Sequence, residues 1–436
     1  MKYLNLRSGR IALRIVLALT ALALASEASA TDCSVETCRY VRQGASGNGS
    51  GADWTNACTD FVGSCAVSSL IRGATYYVAD GSYPGRTWDR PTSGTSVITI
   101  KKALPTDHGT NNGWSDAFGD GQVVFNGVNN VTSGYWLFDG QKGDYLAGGI
   151  GSYGFKFDFS EGQVAITNRG DFNTFRYIDF DGITTTGNYN YTGEAKALGA
   201  YAGNNWTLSH CALHGGESLI QGGGNNWVVE YSYLYNSRSI ASNFHANVFY
   251  ASQINGGVFR YNRIWDYNSE GLFFTGFDGP VSNVKVYGNV FFTDGTTASP
   301  RGIEMRQDYG YTNIQIYNNT FARLGVGGIL NRSPETGNVC SGCIARNNIS
   351  YQAGNTLTGM TQDNNTDDNT NRFRNLVSGD FTLTSALAGT ALGSEFNTDV
   401  NGTLRGFDGV WDRGAYEFGG TSNPAPSAPT NLRIIP

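Results

Sequence analysis

A run of basic residues is missing from this sequence. Its 30 Lys and Arg are scattered among 36 Asp and Glu, for a net charge of −6. A protein that neutralises phosphates needs a cationic stripe, so no nucleic-acid partner is expected. Long apolar stretches are scarce as well. The one candidate, Ile15 to Ala25, is too short to span a bilayer comfortably. It follows Lys2, Arg7, Arg10 and Arg14 and precedes Ala28-Ser29-Ala30, the pattern of a secretory signal cut after Ala30. Residues 1–30 are therefore read as a signal peptide, and the remainder as a secreted or periplasmic chain with no transmembrane segment. Loss of four basic residues and Glu27 would take the net charge from −6 to −9.

Helical periodicity is absent from the body of the chain. No Gly-rich stretch opens a helix, which sets aside a phosphate-binding loop. Zinc-ligand spacing is incomplete, because Cys340-x-x-Cys343 has neither a second pair nor a nearby His. His210 and His214 stand four apart, but on a strand that spacing spans a bend. They read as core or turn residues without a carboxylate partner, and no metal site is predicted. What is abundant is glycine (59) with Tyr (24) and Phe (24), against only 15% charged residues, the composition of a turn-rich, ordered β protein.

Between residues 173 and 351 one phrase repeats. Aligning NNWTLSHCALH, NNWVVEYSYLY, GGVFRYNRIWD, SNVKVYGNVFF, TNIQIYNNTFA and SGCIARNNISY gives a column of Cys211, Ser232, Asn262, Asn289, Asn319 and Asn348, headed by Asp181. Its steps are 21 to 30 residues, with apolar residues three before (Leu208, Val229, Phe259) and two after (Leu213, Leu234, Ile264). Short strands at that period predict a solenoid of β-coils. The position two before the column, including Glu230, Arg260 and Arg346, is polar and should face out. The position one before, Phe180, His210, Tyr231 and Tyr261, is expected to stack in the bore. The Asn column is read as structural, since Asn tolerates a left-handed bend and its amide can hydrogen-bond from coil to coil.

The Asn column, the coil length, YYVADGSY at 76–83 and WDRGAYEF at 411–418 resemble the right-handed parallel β-helix proteins of the pectate-lyase-like superfamily. Secreted bacterial polysaccharide lyases, glycoside hydrolases and epimerases are common there. The resemblance covers most of residues 73–420 and implies an all-β, right-handed parallel β-helix acting on an extended polysaccharide, as a monomer. Residues 31–72 form a cap region before it, and the Pro- and Ser-rich residues 421–436 form a tail. The sequence departs from the superfamily in lacking the Arg-x-Pro-x-x-Arg and Trp-x-Asp-His signatures of pectate lyases and the Asp cluster of its hydrolases. Cys33, Cys38, Cys58 and Cys65 lie in the cap and Cys340 and Cys343 on one coil. Six cysteines suffice for three disulfides of open connectivity, with Cys211 a buried free thiol. The polar run 361–371 reads as a solvated loop or, through Asp363, Asp367 and Asp368, a calcium loop.

A β-helix core is full, so chemistry must sit on outward residues. Aligning KALGAYA, ESLIQGG, ANVFYAS, EGLFFTG, RGIEMRQ and GGILNRS places Leu198, Leu219, Val248, Leu272, Ile303 and Ile329 inward. Phe249, Phe273 and Glu304 then face out, with Arg306 and Arg332 two further on. Phe249 and Phe273 would make an aromatic ledge, with Glu270 and Arg301 at its edge. Rings stack on sugars and Arg grips carboxylates, so Phe249, Glu270, Phe273 and Arg332 are candidate substrate-binding residues. For β-elimination at a uronate, His245 or a depressed-pKa Arg is the candidate base, Arg306 with Arg332 or Arg301 the carboxylate clamp, and Tyr309 the acid for the leaving oxygen. Catalytic candidates are thus His245, Arg301, Glu304, Arg306 and Tyr309. Glu270 with Glu304 would serve a hydrolase instead. A third alternative is binding without catalysis, with Glu304, Arg306 and Arg332 a salt-bridge strip that solvates the sheet.

Overall fold

The computed structural model describes residues 33, 34, 36–143, 153–160, 162–182, 195–238, 246–294, 300–306 and 309–419. One turn of the solenoid holds three short strands. In the coil that opens with Lys196–Ala200 (column I), the chain continues through Thr207–Ser209 (column II) and Ala212–Gly216 (column III). The next coil restarts column I at Ser218–Asn225 and pairs in parallel with the one before, Leu198 to Ile220, Leu208 to Val229 and Leu213 to Leu234. Each of these residues is inward and buried. Rings in the bore stack at the rise of the coils: Phe291 on Phe321 at 4.8 Å and Phe125 on Phe157 at 4.9 Å.

The Asn column is a hydrogen-bonded ladder. The backbone N–H and Nδ2 of Asn262 both donate to Asn289 Oδ1 (2.9 and 3.0 Å), those of Asn289 to Asn319 Oδ1 (3.0 Å each), and those of Asn319 to Asn348 Oδ1 (3.0 and 3.1 Å). Each Nδ2 also reaches a carbonyl of the preceding coil, as Asn289 does to Phe259 (2.8 Å). Ser232 and Cys211 begin the column, as expected. It runs one rung further than expected, to Asn365.

Four expectations need correction. Asp181 does not head the column, because Asp181 pairs with His214 and Phe180 with Leu213, leaving Ile178 opposite Cys211. The left-handed residue is not the ladder Asn but the one before it: Tyr177, His210, Tyr231, Tyr261, Asn318, Asn347 and Asn364 all have φ between 46° and 58°. That geometry turns their side chains out of the bore. His210, Tyr231 and Tyr261 do stack, at 5.0 Å each, but along the outside of the bend. Finally, residues 361–371 are not a loop. They form the last coil, with strands Thr361–Asp363 and Thr366–Asp368.

The disulfides are Cys33–Cys38, Cys58–Cys65 and Cys340–Cys343, and Cys211 is a buried free thiol. The first strand, Thr37–Val41, already pairs in parallel with Ala74–Val78, so coil geometry begins inside the cap region. After the last coil, residues 372–418 run back along the outside. A hairpin of Phe373–Asn375 and Asp380–Leu383 starts this segment. Phe381 packs on Phe292 (5.0 Å) and Phe373 (5.5 Å), and Phe396 on Tyr287 (4.8 Å) and Tyr317 (5.2 Å). These residues form a second apolar core over the outer face of columns II and III. Outward Tyr287 and Tyr317 are buried for that reason.

Candidate functional site

Column I keeps its outer face. Alternation along Glu270–Phe274 and Arg301–Met305 sends Leu272 and Ile303 inward and Phe273 and Glu304 outward, and the two strands pair in that register. One and two coils earlier the sequence reading is off by one residue. Phe249, not Val248, pairs with Leu272, and Ile220, not Leu219, with Leu198. Phe249 is therefore inward, 0% exposed, against Trp227 and Phe259. Leu219 and Val248 are buried in the same core. Two successive residues turn inward at this corner, so apolarity alone could not choose between them. The outward ring is Tyr250, which meets Phe273 edge-on at 5.8 Å. The ledge exists, built from Tyr250 and Phe273.

Beside the ledge lies a chain of ion pairs. Arg301 Nη1 pairs with Glu270 (2.8 Å) and its Nε with Glu304 (2.9 Å); Arg332 joins Glu304 (3.1 Å) to Glu335 (3.1 Å). Ser269 Oγ also donates to Glu270. Both Glu270 and Glu304 are 3% exposed, and the guanidinium groups lie over them toward solvent. The Glu335 carboxylate, aided by Glu304, holds Arg332 above its ordinary pKa, so this guanidinium stays a cation. That suits a clamp and removes Arg332 as a depressed-pKa base. Burial, then the Glu270 charge, pushes the Tyr267 hydroxyl well up, so it too stays protonated.

The remaining candidates are dispersed. His245 lies outside the described residues. Arg306 follows the strand on the same coil as Glu304, and its carbonyl accepts from Tyr311 OH (3.0 Å). Tyr309 packs against the turn at Gly276, whose φ is 64° and where an added Cβ would stand only 3.0 Å from the Tyr309 side chain. Alignment by apolar position passes over Gln221, outward beside Tyr250; Tyr201, in the aligned column of Arg306 and Arg332, folds its ring over the outward Gly199. Lys196, the first residue of its column I strand, is 2% exposed. No signal in the repeat distinguishes it from the small residues around it.

His214 differs from its expected bland role. It faces out on column III and is buried, with Nε2 at 2.9 Å from Asp179 and Nδ1 at 3.6 Å from Asp181, while its ring stacks on Tyr235. Lys156 bridges Asp158 and Asp181 at 2.8 Å each. Burial opposes protonation of His214, but the Asp179 and Asp181 carboxylates outweigh it and raise its pKa. Among the described residues no group of three or more His, Cys, Asp or Glu is arranged to hold a metal. The carboxylates of 361–371 turn to separate partners, Asp363 to Arg346, Asp367 to the Asn355 N–H and Asp368 to Arg372.

No protein-family model matches this sequence, and no curated protein matches it. Among solved structures, pectate lyase Pel9A aligns over 89% of this chain and 100% of its own, at 16% identity and a TM-score of 0.59. A PL6 family polysaccharide lyase from Pseudopedobacter saltans aligns over 84% of this chain and 96% of its own, at 13% identity and a TM-score of 0.41. A rhamnogalacturonan lyase aligns over 73% and 75% at the same identity and score. Among the described residues no helix is long and apolar enough to cross a membrane. With three parallel strand columns, an internal Asn ladder and a full-length match to the pectate lyase, the chain is a right-handed parallel β-helix of the pectate-lyase-like fold with disulfides at its N-terminal end.

Proposed function

We propose that this is an exported β-helix protein that binds an extended, uronate-containing polysaccharide along the outer face of column I and cleaves it by β-elimination. The observation that carries the reading is the juxtaposition of the Tyr250–Phe273 ledge with the Arg301–Glu304–Arg332 chain. Rings supply stacking for sugar faces, and each Nη of Arg332, already bonded once, carries a second N–H for a substrate carboxylate. A carboxylate so gripped is the electron sink that elimination needs when the neighbouring proton leaves. Arg301, Arg306 and Arg332 form the clamp, and Tyr309 serves as the acid. His245, directly before the coil that carries Tyr250, is the base in this scheme. Export through the signal at 1–30 and action as a monomer belong to the same proposal, and calcium is the candidate cofactor that the test below varies.

A second reading, binding without cleavage, is favoured by one specific fact: both Glu304 oxygens already face arginines, which is how a purely structural strip would look. Hydrolysis is less favoured, because Glu270 and Glu304 both lie beneath Arg301 rather than open to a glycosidic bond. The test is depolymerisation of alginate, pectic, glycosaminoglycan and sulfated algal polysaccharides, with and without calcium. Ultraviolet absorbance of unsaturated ends is followed beside total reducing ends. Elimination raises both, and hydrolysis raises reducing ends alone. Neither rising, with polymer retained by the protein, replaces elimination by binding.

A further inference from the structure

The register of column I carries Asn168 to Ala200 and on, coil by coil, to Phe274, Met305 and Asn331. The residues that follow these, Arg169, Tyr201, Thr275, Arg306 and Arg332, therefore stand along one edge of the sheet. Its cations lie at the two ends. Between them come Tyr201 and the neutral Gly223, Ser252 and Thr275, with the Tyr250–Phe273 ledge alongside. Arg169 differs from the arginines at the other end. It is exposed, and its guanidinium lies 5.9 Å from the centroid of the Tyr201 ring, itself 39% exposed. Among the described residues no carboxylate pairs with it. Asp171, two residues on, is engaged instead by the N–H and Nδ2 of Asn204 (2.8 and 3.1 Å). Arg238, beside the corner where column III turns into column I, is paired with Asp266, as Arg301 and Arg332 are with glutamates.

A ring positions a guanidinium without occupying its N–H donors, whereas a carboxylate would neutralise it. In an acidic protein, an unpaired cation on the same edge as the clamp suits an anion brought by a ligand. Resting on the polysaccharide reading above, we propose that Arg169, held by Tyr201, is a second anion-binding subsite for the same polymer. One chain is then gripped at both ends of the edge. Arg169 stands five coils from Arg306 and six from Arg332, roughly 24–29 Å at the coil rise. An extended chain of about six sugars, each advancing about one coil rise, covers that span. A shorter chain reaches one end only. Two contacts on one chain make the second intramolecular, so affinity rises steeply once the chain is long enough to meet both.

Isothermal titration calorimetry is run on the full chain and on its Arg169→Gln, Tyr201→Ala and Arg374→Gln variants. Arg374, an exposed arginine of the returning segment, is the charge control. The ligands are the polymers, octasaccharides and tetrasaccharides of polygalacturonate, polymannuronate, hyaluronan and heparosan. The inference expects the octasaccharide of at least one series to bind at least about tenfold more tightly than its tetrasaccharide. Arg169→Gln should abolish that advantage while leaving tetrasaccharide affinity within about twofold. Tyr201→Ala should reduce the advantage, and Arg374→Gln should keep it. Equal affinity for octasaccharide and tetrasaccharide overturns the inference and leaves the polysaccharide reading standing. So does a loss in Arg169→Gln no larger than in Arg374→Gln, read on the octasaccharide or, where only the polymer binds, on the polymer. Binding of no polymer in the four series overturns both.

Discussion

Two outer faces of the same solenoid have opposite fates. Over the later coils, the outward residues of columns II and III, Tyr287, Phe292 and Tyr317, are buried under residues 372–418 and form a second core. The outward residues of column I on comparable coils, Phe273, Glu304 and Arg332, have no such cover among the described residues and end in an aromatic ledge and an ion-pair chain. Both faces obey the same alternation. The difference shows that apolar residues facing out become a second core where the chain returns over them and stay open to solvent where it does not.

Breaking the covered face should cost the most. Phe381→Ala removes a ring packed on Phe292 and Phe373 and is expected to lower stability by about 3–5 kcal/mol, read from urea unfolding. Asn289→Ala leaves the Asn262 N–H and the Phe259 carbonyl unpaired inside the wall. A loss of about 2–3 kcal/mol is expected by the same measurement. On the open face, Phe273→Ala should change stability by less than about 1 kcal/mol, while reducing polysaccharide retention. Equal destabilisation by Phe273→Ala and Phe381→Ala would erase the distinction between the faces. Arg332→Gln, on a guanidinium 37% exposed, should move the melting temperature least and the binding of acidic polymers more.

A pH series sharpens the comparison from the column III side. The pKa of His214 is raised in the fold, so its pairing with Asp179 and Asp181 is fully present below about pH 6.5, the unfolded value. That contribution is lost as pH rises through the raised folded value, because the imidazolium then gives up its proton. The urea midpoint should therefore fall with rising pH above about 6.5. His214→Asn should remove that part of the slope. An identical slope in the variant would assign the pH dependence to other groups.

Much of the wall was legible. The ladder from Cys211 to Asn348 repeats a residue type with one physical job, so it survives in the sequence as a column. Asp181 misled because a carboxylate stands where the spacing tolerates one, whereas the true partner, Ile178, looks like any core residue. Phe249 misled because two consecutive residues turn inward at the corner, and a two-residue period cannot register that. The returning segment was invisible for a different reason: its contacts with Tyr261, Asn318 and Asn347 span 43 to 137 residues and follow no period. Of the outward strip, the proximity of Glu270, Arg301, Glu304 and Arg332 was legible, and one ring of the ledge was misplaced by one position.

The ladder also sets how such a molecule can change size. Each interior Asn receives two donors from the coil before and gives the same two to the coil after, so every interior rung is chemically equivalent to its neighbours. A segment running from one rung to the next, such as 290–319, is a self-contained module whose duplication or deletion leaves no amide unmatched. Platform length is thus a discrete, heritable variable, adjustable in whole coils. The outer face can then be lengthened or shortened by copying or losing a module rather than by redesigning the wall.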